Sequence, residues 1–150
     1  MRIVEASSQA EIAAVRELFE EYWRGFGFTP CFQGFEDEVA KLPGSYAPLA
    51  LLLVDEQPAG CVALRRFDET RVEFKRLYVR PQYRGQRLGH VLMDWVIAKA
   101  RELGYREMVA DTMPQMETAL AMYDRAGFER TGPYGEKPTP GAVYLKLKLV

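Results

Sequence analysis

Cysteine and histidine are scarce in this 150-residue chain: there are two of the first and one of the second. Cys31 and Cys61 stand far apart without metal-ligand spacing, so no metal site is expected. Cys61 lies in an apolar strand-like run and reads as a small buried residue. No apolar run is long enough to span a bilayer, and Met1-Arg2-Ile3-Val4-Glu5 has no signal-peptide hydrophobic region. The expectation is a protein of the reducing cytoplasm with no membrane partner. Net charge is also nearly absent, at -1, so no overall field draws the chain to nucleic acid or to an anionic membrane. Repeats, linkers and low-complexity tails are missing as well, and the length suits one domain over residues 1–150.

What is present is a regular alternation of elements. Ile3-Val4-Glu5-Ala6 suggests a first strand, and Ser8 with Glu11 three residues on forms a capping box for a helix. Ile12, Val15, Leu18, Phe19, Tyr22 and Trp23 recur at helical spacing, and Gly25, Gly27 and Pro30 end that helix. Phe35 to Leu42 suggests a short second helix. Leu49 to Val54 is continuously apolar, as in a strand buried on both faces. With Ala59 to Phe67 and Arg71 to Val79 it forms an antiparallel meander joined by short turns. A long helix follows from Leu88 to Leu103, then a strand at Glu107 to Asp111, a helix at Met116 to Ala126, a short strand beginning at Phe128 and a final strand within Ala142 to Val150. This order gives an α/β or α+β fold with a mixed central sheet.

Between the third meander strand and the long helix lies Arg84-Gly85-Gln86-Arg87-Leu88-Gly89. A glycine-containing turn from strand to helix aims backbone N–H groups at one point, with the positive end of the helix dipole behind them, which suits a phosphate. The turn lacks the Lys-Ser/Thr pair of a nucleotide-triphosphatase loop. It also lacks the three-glycine dinucleotide pattern, and its strand belongs to a meander. A different anion remains, such as the pyrophosphate of coenzyme A. Arg65, Arg66, Lys75, Arg76, Arg80, Arg84 and Arg87 crowd this part of the chain, either as a solvated strand face or as a slot for an anionic ligand.

Leu77-Tyr78-Val79-Arg80-Pro81-Gln82-Tyr83-Arg84-Gly85-Gln86-Arg87-Leu88-Gly89 resembles the cofactor segment of the GCN5-related N-acetyltransferase (GNAT) superfamily, whose usual pattern is Arg/Gln-x-x-Gly-x-Gly/Ala. Arg84 and Gly89 fit, and Arg87 replaces the middle glycine, which implies less backbone freedom there. Ala119-Leu120-Ala121-Met122-Tyr123-Asp124-Arg125-Ala126-Gly127-Phe128 resembles the family's Ala-x-x-x-Tyr-x-x-x-Gly-Phe segment. The resemblance covers the whole order of elements.

It implies a GNAT-like fold with a V-shaped split between two strands, where acetyl-coenzyme A enters like a further strand. Its pantetheine arm would bond to the backbone around Leu77, Tyr78 and Val79, on a strand that commonly carries a bulge. A freed N–H, that of Leu77, would polarise the thioester carbonyl. Arg84, Gly85, Gln86, Arg87, Leu88, Gly89 and His90 would hold the pyrophosphate end, although His90 taken alone suits packing or surface better than catalysis. Tyr123 occupies the position of the family's acid for the leaving thiolate. Glu73 corresponds to the general base of histone-modifying relatives; the alternative is a solvent-facing carboxylate paired with Arg65 or Arg66, with a water chain as base. Met116 stands where the family often has asparagine, so that role falls away or passes to Thr112 or backbone. The resemblance implies an acetyl-coenzyme A-dependent N-acetyltransferase without metal, acting by direct attack in a ternary complex. A small-molecule primary amine is the expected acceptor; a protein N-terminus or lysine, or a non-catalytic coenzyme A-binding module, are the alternatives. Many relatives pair through sheet edges, so a homodimer is among the partners implied. Acceptor recognition is expected from Gly25 to Gly44, where Phe26, Phe28, Phe32 and Phe35 form an apolar lid or a local core, and from Arg130 to Gly141, with Tyr134 reaching the acceptor end.

Overall fold

A computed structural model describes residues 1–25, 38–114, 116–134 and 141–150. Strand β1 is Arg2–Glu5 and helix α1 is Gln9–Gly25. The capping box forms: Glu11 N–H donates to Ser8 Oγ at 3.1 Å, and Ser8 N–H donates back to Glu11 Oε1 at 3.1 Å. The helical repeat then buries Ile12, Val15, Leu18, Phe19 and Trp23.

The meander consists of β2 (Tyr46–Val54), β3 (Gln57–Arg66) and β4 (Arg71–Val79). β2 starts before the apolar run that marks it in the sequence. Tyr46 already pairs with Arg65, and an irregularity between Tyr46 and Leu49 takes up Pro48, which has no N–H for the ladder. Helix α2 (Leu88–Glu102) crosses over to β5 (Glu107–Thr112); helix α3 (Glu117–Ala126), β6 (Glu129–Thr131) and β7 (Val143–Lys148) complete the chain. Among the described residues seven strands form one sheet, in the order β1-β2-β3-β4-β5-β7-β6. β4 and β5 are parallel, and the other neighbours are antiparallel. Of the second helix expected at Phe35 to Leu42, residues 38–40 are helical, 41–42 form a turn, and 35–37 lie outside the described residues. No helix among the described residues is long and apolar enough to cross a membrane.

Alternation along the strands divides the core in two. Ala50, Leu52, Val62, Leu64, Val72 and Phe74 face α2 and α3, together with Leu92, Val96 and Tyr123. Leu49, Leu51, Leu53, Cys61 and Ala63 face α1, together with Val15, Leu18 and Phe19. The apolar stretch of β2 is therefore buried on both faces, as its lack of polar residues implies.

Gly60 fixes how closely β3 and β4 approach at the end nearest α2. It pairs with Val79, and a Cβ built on it would lie 2.5 Å from the Tyr78 carbonyl oxygen and 3.3 Å from Leu92 Cδ1. Backbone cannot yield as a side-chain tip can. Gly60→Ala is therefore expected to destabilise the fold by about 1–3 kcal/mol, measured as a lower denaturation midpoint with the slope unchanged.

Candidate active site

The V-shaped split comes from the register. β4 and β5 pair at Arg71↔Glu107, Val72↔Met108 and Glu73↔Val109, and there the ladder ends. β4 continues to Val79 and β5 to Thr112. The β5-facing edge of β4 is thus open beyond Glu73, as a site for an added strand requires.

On its other edge the same stretch of β4 is bulged. Cys61 pairs with Tyr78 and Ala63 with Lys75, so Arg76 and Leu77 together oppose Val62. Arg76 takes φ 59°, the left-handed region. A bulge leaves one residue outside the ladder, which frees main-chain groups at Arg76-Leu77. Two contacts hold it there. The Cys61 thiol donates to the Arg76 carbonyl at 3.3 Å. The Arg76 guanidinium donates to Glu38 from Nε at 3.0 Å and from Nη2 at 3.1 Å, while also lying over the rings of Tyr22 and Trp23. Burial opposes the Arg76 charge, but Glu38 outweighs it and raises the pKa. Glu38 also accepts from the Tyr46 hydroxyl. Leu77 and Val79 pack their side chains against the core beside α2, while Tyr78 points to the α1 side, where its hydroxyl reaches Glu21 at 3.4 Å.

After β4, a single 3-10 turn (Pro81–Tyr83) leads into the glycine-containing loop. Arg84 N–H reaches the Pro81 carbonyl at 3.2 Å and Val91 N–H reaches the Arg87 carbonyl at 3.2 Å. Among the described residues, the N–H groups of Gly85, Gln86, Arg87, Leu88, Gly89 and His90 between them meet no main-chain carbonyl. Gly85 has φ 85° and Arg87 has φ 60°, so both are left-handed. Arg87 keeps the conformation that the family's glycine adopts freely, at a cost of about 1 kcal/mol. Residues 84–87 are exposed, Leu88 is buried, and Gly89 and His90 are half-buried. The Arg84 Nε folds back onto the Val79 carbonyl at 3.0 Å. A row of open amides at a helix start, flanked by two exposed arginines, fits a diphosphate.

Tyr123 on α3 is 5% exposed and stacks edge-on against Phe74, with centroids 5.2 Å apart. Its hydroxyl has no hydrogen-bond partner among the described residues, and burial, then the charges of Tyr22 and Asp111, raise its pKa. A Cβ on Gly89 would lie 3.4 Å from Met122 Sδ, so α3 packs against the start of the loop helix. The Thr112 hydroxyl donates to Met116 Sδ at 3.0 Å, which engages the threonine considered as a substitute for the family's asparagine.

Glu73 sits at the fork with 4% exposure, on the α1 side, opposite the Val72 and Phe74 face. Arg65 Nη2 donates to its Oε1 at 2.6 Å, and the Tyr134 hydroxyl donates to its Oε2 at 2.8 Å. The pairing with Arg65 weighed from sequence is present, but the carboxylate is buried rather than solvent-facing, because Tyr134 closes over it. Burial first, then the Glu73 charge, raises the Tyr134 pKa.

Most of the clustered cations are engaged. Arg65 pairs with Glu73, Arg76 with Glu38, and Arg80 with Glu21 at 2.6 Å and with the Pro58 carbonyl at 3.0 Å. Arg66 donates to the Asp68 carbonyl. Lys75 has no such partner among the described residues; burial lowers its pKa, partly countered by Glu73 and reinforced by Arg76 and Arg65. Asp111, which sequence reading missed, lies on β5 beyond the fork, and its charge reaches Tyr22, Lys75, Tyr123 and Tyr134. Its one trace in the sequence is its place in the alternation Met108-Val109-Ala110-Asp111. No metal-holding group of three acidic, cysteine or histidine side chains occurs among the described residues. The aromatic residues Phe26, Phe28, Phe32 and Phe35 lie outside the described residues, as does the tip of the loop after Tyr134.

Known proteins match this architecture. Residues 12–128 match the model of the Acetyltransferase (GNAT) family. An uncharacterised N-acetyltransferase of Schizosaccharomyces pombe is 38% identical over 138 residues, spanning 88% of this chain and 85% of that protein. A GNAT-family acetyltransferase structure from Staphylococcus aureus superposes with TM-score 0.83 at 16% identity, over 99% of both chains. A putative acetyltransferase from Salmonella typhimurium, solved with its cofactor acetyl-CoA, superposes with TM-score 0.74 at 21% identity over 100% of this chain and 94% of that one. The chain belongs to the GNAT acetyltransferase family and is an acetyl-coenzyme A-dependent N-acetyltransferase.

Proposed function

We propose that this enzyme acetylates a primary amine of a small molecule by direct attack in a ternary complex, as one cytoplasmic domain over residues 1–150. The observation that carries this reading is the open edge of β4 leading straight into the run of unspent N–H groups at 85–90. Acetyl-coenzyme A supplies the acetyl group as a thioester. Gly85 to His90, with Arg84 and Arg87, would hold the diphosphate, and the β4 backbone at Leu77, Tyr78 and Val79 would hold the pantetheine arm. The Arg84 side chain, exposed, would leave the Val79 carbonyl on binding.

The bulged main chain at Arg76-Leu77 supplies an N–H to the thioester oxygen, with Leu77 the donor. Tyr123 donates a hydrogen bond to the sulfur. Its raised pKa keeps it protonated at neutral pH, so it remains a donor throughout the working range. Glu73 accepts the proton of the acceptor ammonium through solvent, because Arg65 and Tyr134 already hold its two oxygens. Direct attack agrees with the setting of Cys61, whose thiol is buried, pushed up in pKa and spent on the Arg76 carbonyl.

Tyr123→Phe is expected to lower kcat by about 100-fold while leaving acetyl-coenzyme A affinity within about threefold. Calorimetric titration and coenzyme A thiol release measure the two; unchanged turnover would remove Tyr123 from the mechanism. Arg87→Gly separates strain from binding. It is expected to raise the melting temperature by about 2–4 °C as the left-handed strain is relieved, and to weaken coenzyme A binding by about threefold to tenfold.

A further inference from the structure

Lys75 and Asp111 are a cross-strand pair that the fork has separated. β4 and β5 run parallel with Glu73 opposite Val109, and that register, continued by two residues, sets Lys75 opposite Asp111. The period of two along each strand puts both on the side of the sheet that carries Glu73 and α1. In a closed sheet they would form a salt bridge. The strands diverge first, and no ion pair joins the two among the described residues, although the charge of Asp111 still reaches Lys75. Both are half-buried. Among the described residues, Arg65 is engaged with Glu73 and Arg76 with Glu38, while Lys146 of β7, opposite Val109, shares this face with Asp111 but sits on the far side of β5 from the slot.

A cation and an anion facing each other across an open slot are complementary to a ligand with the opposite charges in opposite order. We propose that the acceptor is a free α-amino acid, its carboxylate held by Lys75 and its ammonium by Asp111. This rests on the N-acetyltransferase reading above and names the substrate class of that same site. An α-amino acid carries its two charges one carbon apart, so a single small molecule bridges the gap. The amino terminus of a protein has an amide where the carboxylate would be and leaves Lys75 unanswered. Phe67, Tyr134 and Tyr144, stacked edge to face on the Glu73 side, offer an apolar wall to the side chain.

The transfer balances. The acceptor nitrogen forms a bond to the acetyl carbon, and the bond from that carbon to sulfur breaks. Of the two protons lost by the ammonium, one ends on the coenzyme A thiol and one in solvent. The product is an N-acetyl amino acid, which keeps its carboxylate for Lys75 but no longer presents a charge to Asp111. Loss of that contact favours product release.

The test uses the whole chain with acetyl-coenzyme A and matched acceptors: phenylalanine, phenylalaninamide and phenethylamine; leucine, leucinamide and isoamylamine; and the remaining protein amino acids. In at least one series the free amino acid is expected to show kcat/KM at least about tenfold above its amide and its decarboxylated amine, mainly through KM, as a charge-assisted contact predicts. Lys75→Met is expected to bring that ratio to about one, and Lys75→Arg to keep most of it. Calorimetry gives a reading independent of turnover: the N-acetyl amino acid of the best series binds coenzyme A-loaded protein, about tenfold more weakly in Lys75→Met. Amides or amines used as well as amino acids would overturn the inference, as would a ratio that survives Lys75→Met. Coenzyme A binding with neither amino acid turnover nor N-acetyl amino acid binding would overturn it too, leaving the acetyltransferase reading in place. Absence of coenzyme A binding would overturn both.

Discussion

β4 leaves β5 immediately after Glu73, and the site is arranged around that parting. An unpaired strand edge inside a sheet is costly, since each buried N–H or carbonyl without a partner forfeits about 1–3 kcal/mol. On the proposed reading, the pantetheine arm would lie along this edge and answer those groups. The bulge opposite Val62 disturbs the other side of the same strand, so both edges of β4 are irregular over the same few residues. Such a segment would drift without support. The Cys61 thiol below and the Arg76–Glu38 pair beside it supply that support. With both side chains of the pair only 16% exposed, losing one partner would strand the other charge, at about 3–5 kcal/mol.

The parting also divides labour between the two faces of the sheet. Tyr123 approaches from the apolar side shared with α2 and α3. Its aromatic neighbours leave its hydroxyl little water, and it has no competing partner among the described residues. Glu73, Lys75 and Asp111 lie on the opposite face with α1. On the proposed reading, the group that would donate to sulfur and the groups that would handle charged nitrogen are separated by the sheet and meet only at the gap. The dry side would suit the phenol proposed to stay protonated, and the polar side the acceptor proposed to arrive charged.

Local features were legible in the chain. Ser8 and Glu11 announced the capping box, β4 kept its bounds, and Gly85 before an amphipathic helix marked the loop. Arg87 shows the limit of residue type: its left-handed φ is imposed by the loop and the helix it starts, against the preference of its own side chain. Long-range facts were hidden. The sequence presents a crowd of cations but not their partners, because Glu38 is 38 residues from Arg76 and Glu21 is 59 from Arg80. Lys75 becomes distinctive only once the others are accounted for. Asp111 looked like a carboxylate at the end of a short strand until the parallel register placed it across the gap from Lys75.

Arg80 gives the loop a fixed footing. It binds Glu21 of α1, the Pro58 carbonyl of β3 and, at 3.3 Å, Glu17, just where β4 ends and the loop begins. Helix and strand ends are stitched together at that point, so on the proposed reading the loop would be anchored at its start before a ligand arrives. Less chain entropy would then be lost on capture, and affinity there would reflect contacts more than the work of assembling them.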